Sequence, residues 1–246
     1  MKNKLLKFLT CFAGISAIGS TITITSASCG CSNEQSIKAL PDEVYDIDEA
    51  TNVLKGFKEG IDLNQYKGVY DTMLIPKNVT SVANNAFYNN SASIVPSFIT
   101  KLTFTKNSKC SSIGQSAFRI CSSLTSINFL NCINLSTIDF AAFNECSSLS
   151  SVKFPSSLTT IITSAFENCS SLTSVDLSNC NNLNRIYDYI FAGCSSLSSI
   201  TFPSLSQIDN RVFDSCSELT SITFPISLKK IGTYIFKNCS KLNDIK

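Results

Sequence analysis

One phrase recurs six times along this chain, at intervals of 22 to 25 residues. It reads AFRICSSLTSINF from Ala117, AFNECSSLSSVKF from Ala142 and VFDSCSELTSITF from Val212. The copies share one aromatic anchor, at Phe118, Phe143, Phe166, Phe191, Phe213 and Phe236. Self-similarity at such a period is typical of solenoids, because one unit cannot bury its own apolar side chains whereas stacked units can. The repeats therefore predict the fold before any local pattern is considered.

Each repeat contains one predicted strand and a second apolar stretch. Within the strand, Ile127 and Phe129 are separated by one residue, so both point to one face and the intervening residues point away. The second stretch supplies pairs such as Leu135 and Ile138. We therefore predict a repeat solenoid with a parallel β-sheet on one face and short strands and turns on the other.

The repeats follow the consensus A-F-x-x-C-x-x-L-x-x-I-x-F-P-x-S-L-x-x-I. Two longer units, LTSINFLNCINL from Leu124 and LTSVDLSNCNNL from Leu172, also fit the segment L-x-x-L-x-L-x-x-N/C-x-x-L. The consensus resembles the BspA-type leucine-rich repeat, and it covers residues 70–246 in about seven units. The resemblance implies a leucine-rich repeat fold. It also implies a surface or secreted protein of the kind that bacteria and some protists use in adhesion and host-matrix binding.

The N-terminus has the pattern of an export signal. Residues 1–7 are basic, residues 8–25 are apolar or small, and the small residues 26–28 precede Cys29. This arrangement resembles a bacterial lipoprotein signal, which implies that segment 1–28 is removed and that the Cys29 thiol carries lipid. A plain signal peptide and an uncleaved N-terminal anchor remain alternatives. On the first reading, the protein is exported to the cell surface and anchored to the membrane by lipid.

We predict a tether and a helical N-terminal cap in residues 29–69. Apolar side chains fall at helical spacing at Ile47, Ala50, Val53, Leu54 and Phe57. Asp46 would begin this helix and Gly60 would end it. The terminal unit of a solenoid needs such cover, because its outer face has no neighbouring unit.

Composition argues against catalysis, metal binding and a nucleic-acid partner. The net charge is only +2, and Lys2, Lys4 and Lys7 lie in the predicted signal, so the remaining chain is near neutral. A near-neutral chain argues against nucleic acid as a partner. The chain has no histidine, which removes the commonest general base and the commonest zinc ligand. We predict that the protein is not an enzyme and has no catalytic residue, metal site or cofactor.

The chain contains 12 cysteines, and half of them keep a fixed place in the repeat. Three residues after each repeat phenylalanine come Cys121, Cys146, Cys169, Cys194, Cys216 and Cys239. Stacking would place them in one column with neighbours about 4.8 Å apart, inside the range of roughly 4.4–6.8 Å that a disulfide allows. Buried free thiols and disulfides both stay open, and the absence of alternating Cys spacings favours thiols.

The predicted ligand surface is the outward side of the strands. Its residues are Lys101, Thr103, Ser126, Asn128, Ser151, Lys153, Ser174, Asp176, Ser199, Thr201, Ser221 and Thr223. This hydroxyl-rich face lacks the aromatic and arginine anchors of tight interfaces, so it fits a weak, multivalent or glycan contact. Two alternatives are the exposed tyrosines 187, 189 and 234 on the convex side, and an insertion at residues 88–96 in the first repeat.

We predict a non-enzymatic cell-surface recognition or adhesion protein whose partner is a host or matrix protein or glycan. The alternative is a structural or antigenic coat lipoprotein without a dedicated ligand. The last strand also predicts possible self-association through the C-terminal edge, unless Asn243, Asp244 and Lys246 protect that edge by polarity and charge.

Overall fold

The computed structural model describes residues 37–89 and 92–246. The predicted signal segment 1–28, the predicted lipid site Cys29 and most of the predicted tether lie outside the described residues. The described chain is a β-solenoid of about 8 turns. Its strands are stacked in parallel from turn to turn, which confirms the predicted leucine-rich repeat fold.

Short strands alternate with tight turns along the described chain. In order they are β1 (Tyr45–Ile47), β2 (Val53–Phe57), β3 (Thr72–Ile75), β4 (Ser81–Val82), β5 (Tyr88–Asn89), β6 (Ala92–Ser93), β7 (Lys101–Phe104), β8 (Ser112–Ile113), β9 (Ser126–Asn128), β10 (Thr137–Ile138), β11 (Ser151–Lys153), β12 (Thr160–Ile161), β13 (Ser174–Asp176), β14 (Arg185–Ile186), β15 (Ser199–Thr201), β16 (Gln207–Ile208), β17 (Ser221–Ile222), β18 (Lys230–Ile231) and β19 (Asp244–Ile245). Two short 3-10 helices, Asp42–Val44 and Leu63–Tyr66, complete the elements of residues 37–89 and 92–246.

The strands build two parallel ladders along the solenoid. The first contains β3, β7, β9 and β11, followed by the pairs β13–β15 and β17–β19, and we call its outer side the strand face. The second contains β2, β4, β8, β10 and β12, followed by β14, β16 and β18. On β9, Ile127 is buried while Ser126 and Asn128 are partly exposed, and Val152 is buried in the same way on β11. The predicted alternation is confirmed.

The core is organised around a stack of seven phenylalanine rings from successive turns. Neighbouring rings have their centroids 4.9 to 6.1 Å apart and lie nearly parallel, in the order Phe87, Phe118, Phe143, Phe166, Phe191, Phe213 and Phe236. A second row of phenylalanine rings contacts this stack edge-on. The centroid of the Phe154 ring, for example, lies 5.7 Å from that of Phe166, and the two ring planes meet at 89°. Offset stacks and edge contacts are the two favoured aromatic geometries. Each turn therefore packs its ring on that of the turn before.

The helix predicted over residues 46–60 is wrong. Those residues form an antiparallel hairpin of β1 and β2, in which Asp46 lies opposite Gly56. Strand β2 then joins the second ladder, where Leu54 pairs with Val82 of β4 in parallel register. The first turn of the solenoid is therefore covered by a hairpin rather than by a helix.

The backbone of this segment cannot continue as a helix. The Asp48 carboxylate accepts hydrogen bonds from the N–H groups of Ala50 and Thr51, which closes a turn. Asn52 follows at a φ of 57°, and Gly56 lies at a φ of 144°. Neither angle belongs to a right-handed helix. Of the apolar residues at helical spacing, Ile47 lies on β1, Val53, Leu54 and Phe57 lie on β2, and Ala50 lies in the turn between the two strands.

Candidate binding groove

An open groove of about 840 Å³ lies on the strand face over β3, β7, β9 and β11. Six residues of the predicted ligand face line it, and these are Lys101, Thr103, Ser126, Asn128, Ser151 and Lys153. The lining also includes four residues that the sequence did not predict, namely Ile37, Lys38, Asp71 and Thr72. The structure thus brings half of the predicted face together in one concavity.

Strand register sets the floor of the groove. Lys101 of β7 lies beside Ser126 of β9, which lies beside Ser151 of β11. Two residues further along the same strands, Asn128 lies between Thr103 and Lys153. The apolar side chains between these two rows point into the core. Two rows of polar side chains therefore face outward at the strand spacing of about 4.8 Å.

Residues 37–40 form one edge of the groove. The backbone N–H of Thr72 donates to the carbonyl of Lys38, and the N–H of Leu40 donates to the carbonyl of Thr72. Next to this contact, the Lys101 ammonium lies 2.8 Å from the Asp71 carboxylate. Partial burial alone would raise the pKa of Asp71, but hydrogen bonds from Lys101 and from the Thr72 hydroxyl outweigh it and lower that pKa. Asp71 is therefore ionised and paired at neutral pH.

The other half of the predicted face lies beyond the groove. It comprises Ser174, Asp176, Ser199, Thr201, Ser221 and Thr223, which stand on or next to β13, β15 and β17. The Asp176 carboxylate accepts a hydrogen bond from the Thr201 hydroxyl and another from the N–H of Ser178. The hydrogen bond from Thr201 has the largest effect, and together with that from Ser178 it lowers the pKa of Asp176. A fixed negative charge therefore follows the groove along the strand face.

The convex tyrosines lie against arginines that the sequence analysis missed. The Arg185 guanidinium lies 4.4 Å from the centre of the Tyr187 ring. Arg211 lies between two other rings, 5.9 Å from that of Tyr189 and 5.1 Å from that of Tyr234. Such cation–π contacts hold the rings in place. These residues lie away from the groove, so the convex side stays a separate, alternative surface.

The insertion in the first repeat is a small antiparallel hairpin. Strands β5 and β6 pair with Tyr88 opposite Ser93, while residues 90 and 91 lie outside the described part. The Ser93 hydroxyl accepts a hydrogen bond from the N–H of Val95, and its oxygen lies 3.2 Å from the Cys121 sulfur. Arg119 covers the Tyr88 ring at 5.3 Å. The described residues of this hairpin do not line the groove.

The repeat cysteines form a ladder of free thiols in the described part of the chain. The Cys169 sulfur donates to the carbonyl of Phe143 at 3.3 Å, and the Cys194 sulfur donates to that of Phe166 at 3.3 Å. The same hydrogen bond, from a thiol to the carbonyl of the repeat phenylalanine one turn earlier, is formed by Cys146, Cys216 and Cys239. Burial raises the pKa of Cys194 to about 12 and that of Cys180 to about 11. These thiols therefore stay protonated at neutral pH, where only a thiolate would act as a nucleophile.

Two further observations concern the described residues alone. In residues 37–89 and 92–246, no three His, Cys, Asp or Glu side chains converge as metal ligands would. Among the same residues, no helix has the length and apolar character needed to span a bilayer.

The repeats and the two parallel ladders define a leucine-rich-repeat solenoid with an extended polar face. The family model of the BspA type leucine rich repeat region matches this sequence in 6 copies, over residues 64–134 and 111–243. The chain therefore belongs to the BspA-type leucine-rich repeat family. No curated protein sequence matches it.

Solved structures of bacterial repeat proteins are similar to this one. A leucine-rich repeat protein of T. pallidum is 22% identical with a TM-score of 0.62, and the match covers 83% of this chain and 91% of that one. The pneumococcal vaccine antigen PcpA is 16% identical with a TM-score of 0.36, over 82% of this chain and 64% of that one. A leucine-rich cell surface protein of Faecalibacterium prausnitzii is 20% identical with a TM-score of 0.27, over 84% and 94%. The T. pallidum structure supports the fold.

Proposed function

We propose that this chain is a non-enzymatic recognition protein of a bacterial cell surface, which binds host or matrix macromolecules through its strand face. The observation that carries the proposal is the groove of about 840 Å³, whose floor is built from in-register polar side chains. Extended faces of solenoids are the surfaces that these proteins use for binding. Hydroxyls, an amide and lysines offer a ligand hydrogen bonds and charge rather than nucleophilic attack.

A binding assay on the chain from residue 32 onward tests this proposal, because that chain includes every described residue of the solenoid. The assay measures binding to a panel of matrix proteins and glycans, with two matched variants. Ser151 and Ser199 hold the same exposed position on β11 and β15, but only Ser151 lines the groove. We expect saturable binding that Ser151→Glu abolishes and Ser199→Glu leaves unchanged. Absence of binding across the panel would favour the alternative, a coat protein without a dedicated ligand.

We also propose that the protein is exported and held at the membrane by lipid on Cys29. The support is the basic and apolar segment before Cys29, together with the family to which the chain belongs. Metabolic labelling with a fatty acid in a bacterial host tests the anchor. Label should enter the wild type and the control Cys31→Ala, but not Cys29→Ala. Equal labelling of Cys29→Ala would place the lipid elsewhere, and absence of label from all three would favour an unlipidated signal.

A further inference from the structure

The groove has a net positive charge on a chain that is near neutral as a whole. Its lining contains three lysines, Lys38, Lys101 and Lys153, and one carboxylate, Asp71. Lys101 pairs with Asp71 yet keeps 53% of its side chain exposed. Lys38 and Lys153 are exposed, and neither forms an ion pair with another residue of 37–89 or 92–246. Two ammonium groups are therefore available to an anionic ligand.

The hydroxyl groups on the groove floor are also free to hydrogen-bond a ligand, because the fold does not use them. Elsewhere, Ser and Thr side chains bind the turn before them, as where the Thr125 hydroxyl donates to the carbonyl of Thr100 at 2.9 Å. The hydroxyls of Thr103, Ser126 and Ser151 make no hydrogen bond to any other described residue. The Asn128 side-chain oxygen accepts from the N–H of Leu130, which leaves its NH₂ group to donate outward. The floor thus presents donors and acceptors that the fold does not use.

The shape of the ligand follows from the strand geometry. Lys38 lies on the segment that pairs with β3 through Ala39 and Thr72, and Lys153 lies on β11, so four strand spacings, about 19 Å, separate their backbones across the strands. Two lysines at this distance can each bind a separate acidic group of one extended ligand chain. Beyond the groove, the ionised Asp176 would repel that chain, which confines the ligand to β3, β7, β9 and β11.

We propose that the groove binds an acidic saccharide, that is, a sugar chain carrying carboxylate or sulfate groups. This proposal rests on the proposed function, because it names the ligand class of the same face. Sugar hydroxyls donate and accept hydrogen bonds as Ser and Thr hydroxyls do, and lysine ammonium groups bind carboxylate and sulfate. An acidic peptide fits less well, since protein partners rely on apolar and aromatic anchors. Ile37, at the margin of the groove, is the one partly exposed apolar side chain in the lining.

Binding of the chain from residue 32 onward to four probes tests the proposal: a heparin oligosaccharide, a polygalacturonate oligosaccharide, neutral dextran and poly-glutamate. We expect the sulfated or the carboxylated saccharide to bind, with an affinity that falls as salt rises. Lys153→Ser should lower this affinity about tenfold, the cost of one charge-assisted hydrogen bond. Lys229→Ser, an exposed lysine outside the groove, should leave it unchanged. Comparison of the two saccharides identifies which acidic group is preferred.

A second variant separates recognition of sugar from recognition of charge. The double change Ser126→Ala and Ser151→Ala keeps every charge, and we expect it to weaken saccharide binding about tenfold through two lost hydrogen bonds. Poly-glutamate binding as tight as saccharide binding would overturn the proposal in favour of an acidic peptide. Equal effects of Lys153→Ser and Lys229→Ser would also overturn it. Binding of dextran or a matrix protein that is lost in Ser151→Glu but retained in Lys153→Ser would overturn this inference and leave the proposed function standing.

Discussion

Cysteine suits its place in the repeat because it is small, apolar and able to donate a hydrogen bond. The carbonyls of five repeat phenylalanines face the next turn, and the thiol of that turn donates to each of them, as Cys216 does to Phe191 at 3.2 Å. Alanine would leave this acceptor without the thiol, and a larger residue would not fit beside the buried ring. The ladder of thiols is therefore part of the stack of turns, and its reactivity is suppressed by burial.

Burial of the thiols predicts loss of stability in alkali. Burial raises the pKa of Cys110 and Cys194 to about 12, whereas an unfolded chain releases these protons near the ordinary value of about 8.5. The folded chain then holds more protons than the unfolded chain. Its free energy of unfolding should be fully present below about pH 8.5 and fall as pH rises towards 12. Denaturant titrations at a series of alkaline pH values measure this fall.

A thiol variant identifies the cause of the alkaline loss. Cys194→Ala removes one buried proton-binding group, so its free energy of unfolding should fall less steeply with pH than that of the wild type. Burial also raises the pKa of Tyr45, but this tyrosine is present in both proteins and cancels in the comparison. Equal slopes for the two proteins would contradict the assignment to the thiols.

One residue of each repeat is held in the left-handed region two positions after the phenylalanine. Ile120 has a φ of 58° there, while Asn168 and Asn238 hold the same place in later turns at 60° and 61°. A β-branched side chain is strained at such an angle, whereas asparagine tolerates it. Ile120→Asn should therefore raise the free energy of unfolding by about 1 kcal/mol. Equilibrium denaturation measures the change.

The reverse substitution serves as the matched control. Asn168 is exposed, so Asn168→Ile exchanges the same two residue types without removing a buried contact. We expect it to lower the free energy of unfolding by about 1 kcal/mol. Two changes of the same sign would show that local packing, rather than backbone angle, controls this position.

At the scale of elements, the N-terminal hairpin depends on one glycine. Gly56 of β2 has a φ of 144°, and a Cβ placed on it would collide with the carbonyl oxygen of Ala86. The backbone of the solenoid cannot give way easily at that point. Gly56→Ala should destabilise the hairpin by about 3 kcal/mol. Amide hydrogen exchange in β1 and β2 should rise before it rises in later turns, because repeats contact only their neighbours.

Gly68→Ala is the control for this prediction. Gly68 also has a positive φ, 80°, but a Cβ there meets nothing within 4 Å. Gly68→Ala should therefore lower the free energy of unfolding by only about 1 kcal/mol, through backbone strain alone. If both variants had the same stability, the contact with Ala86 would carry no weight in holding the hairpin.

The repeats were predictable from the sequence because their local and long-range requirements agree. Ile127 and Val152 alternate with polar residues, and the same alternation returns in every turn, so the period reveals the stack. The strand β2 was not predictable in this way, because Leu54 fits helical spacing and its pairing with Val82, which holds β2 in the second ladder, joins residues too far apart for any local window. The decisive signals were the turn formed by Asp48 and the glycine at position 56.

The groove was predictable only in part, for a similar reason. Alternation along β7, β9 and β11 indicated which side chains face outward, and this located Lys101 and Lys153. Lys38 and Asp71 reach the same concavity through contacts between residues 37–40 and Thr72, which no repeat pattern records. Arg211 of the convex side was missed because its contacts with Tyr189 and Tyr234 depend on the register between turns. Sequence therefore predicted the repeated part of the site and not its edge.

At the scale of the whole molecule, two core positions of the repeat are exposed in the last turn that the structure describes. In the last turn, Ile231 and Ile245 are 49% and 56% exposed, whereas their counterparts Ile208 and Ile222 are 0% and 3% exposed. Asp244 and Lys246 pair with each other at 2.8 Å, whereas the exposed Lys229, Lys230 and Lys237 of the same turn form no ion pair with another residue of 37–89 or 92–246, so apolar contact would have to outweigh their repulsion. Exposed apolar side chains and open strand edges favour association.

We propose that a polypeptide with this sequence self-associates through its last turn. Sedimentation equilibrium over a wide range of protein concentrations should show dimers that dissociate on dilution. The double change Ile231→Lys and Ile245→Lys should leave a monomer at every concentration, because it places charge on the contact. Leu130→Lys and Ile133→Lys change two exposed apolar residues in the middle of the array, at 54% and 59% exposure, and should leave the dimer intact. A wild type that stays monomeric at the highest concentration would show that Asp244, Lys246 and the polar residues near them are enough to protect this edge.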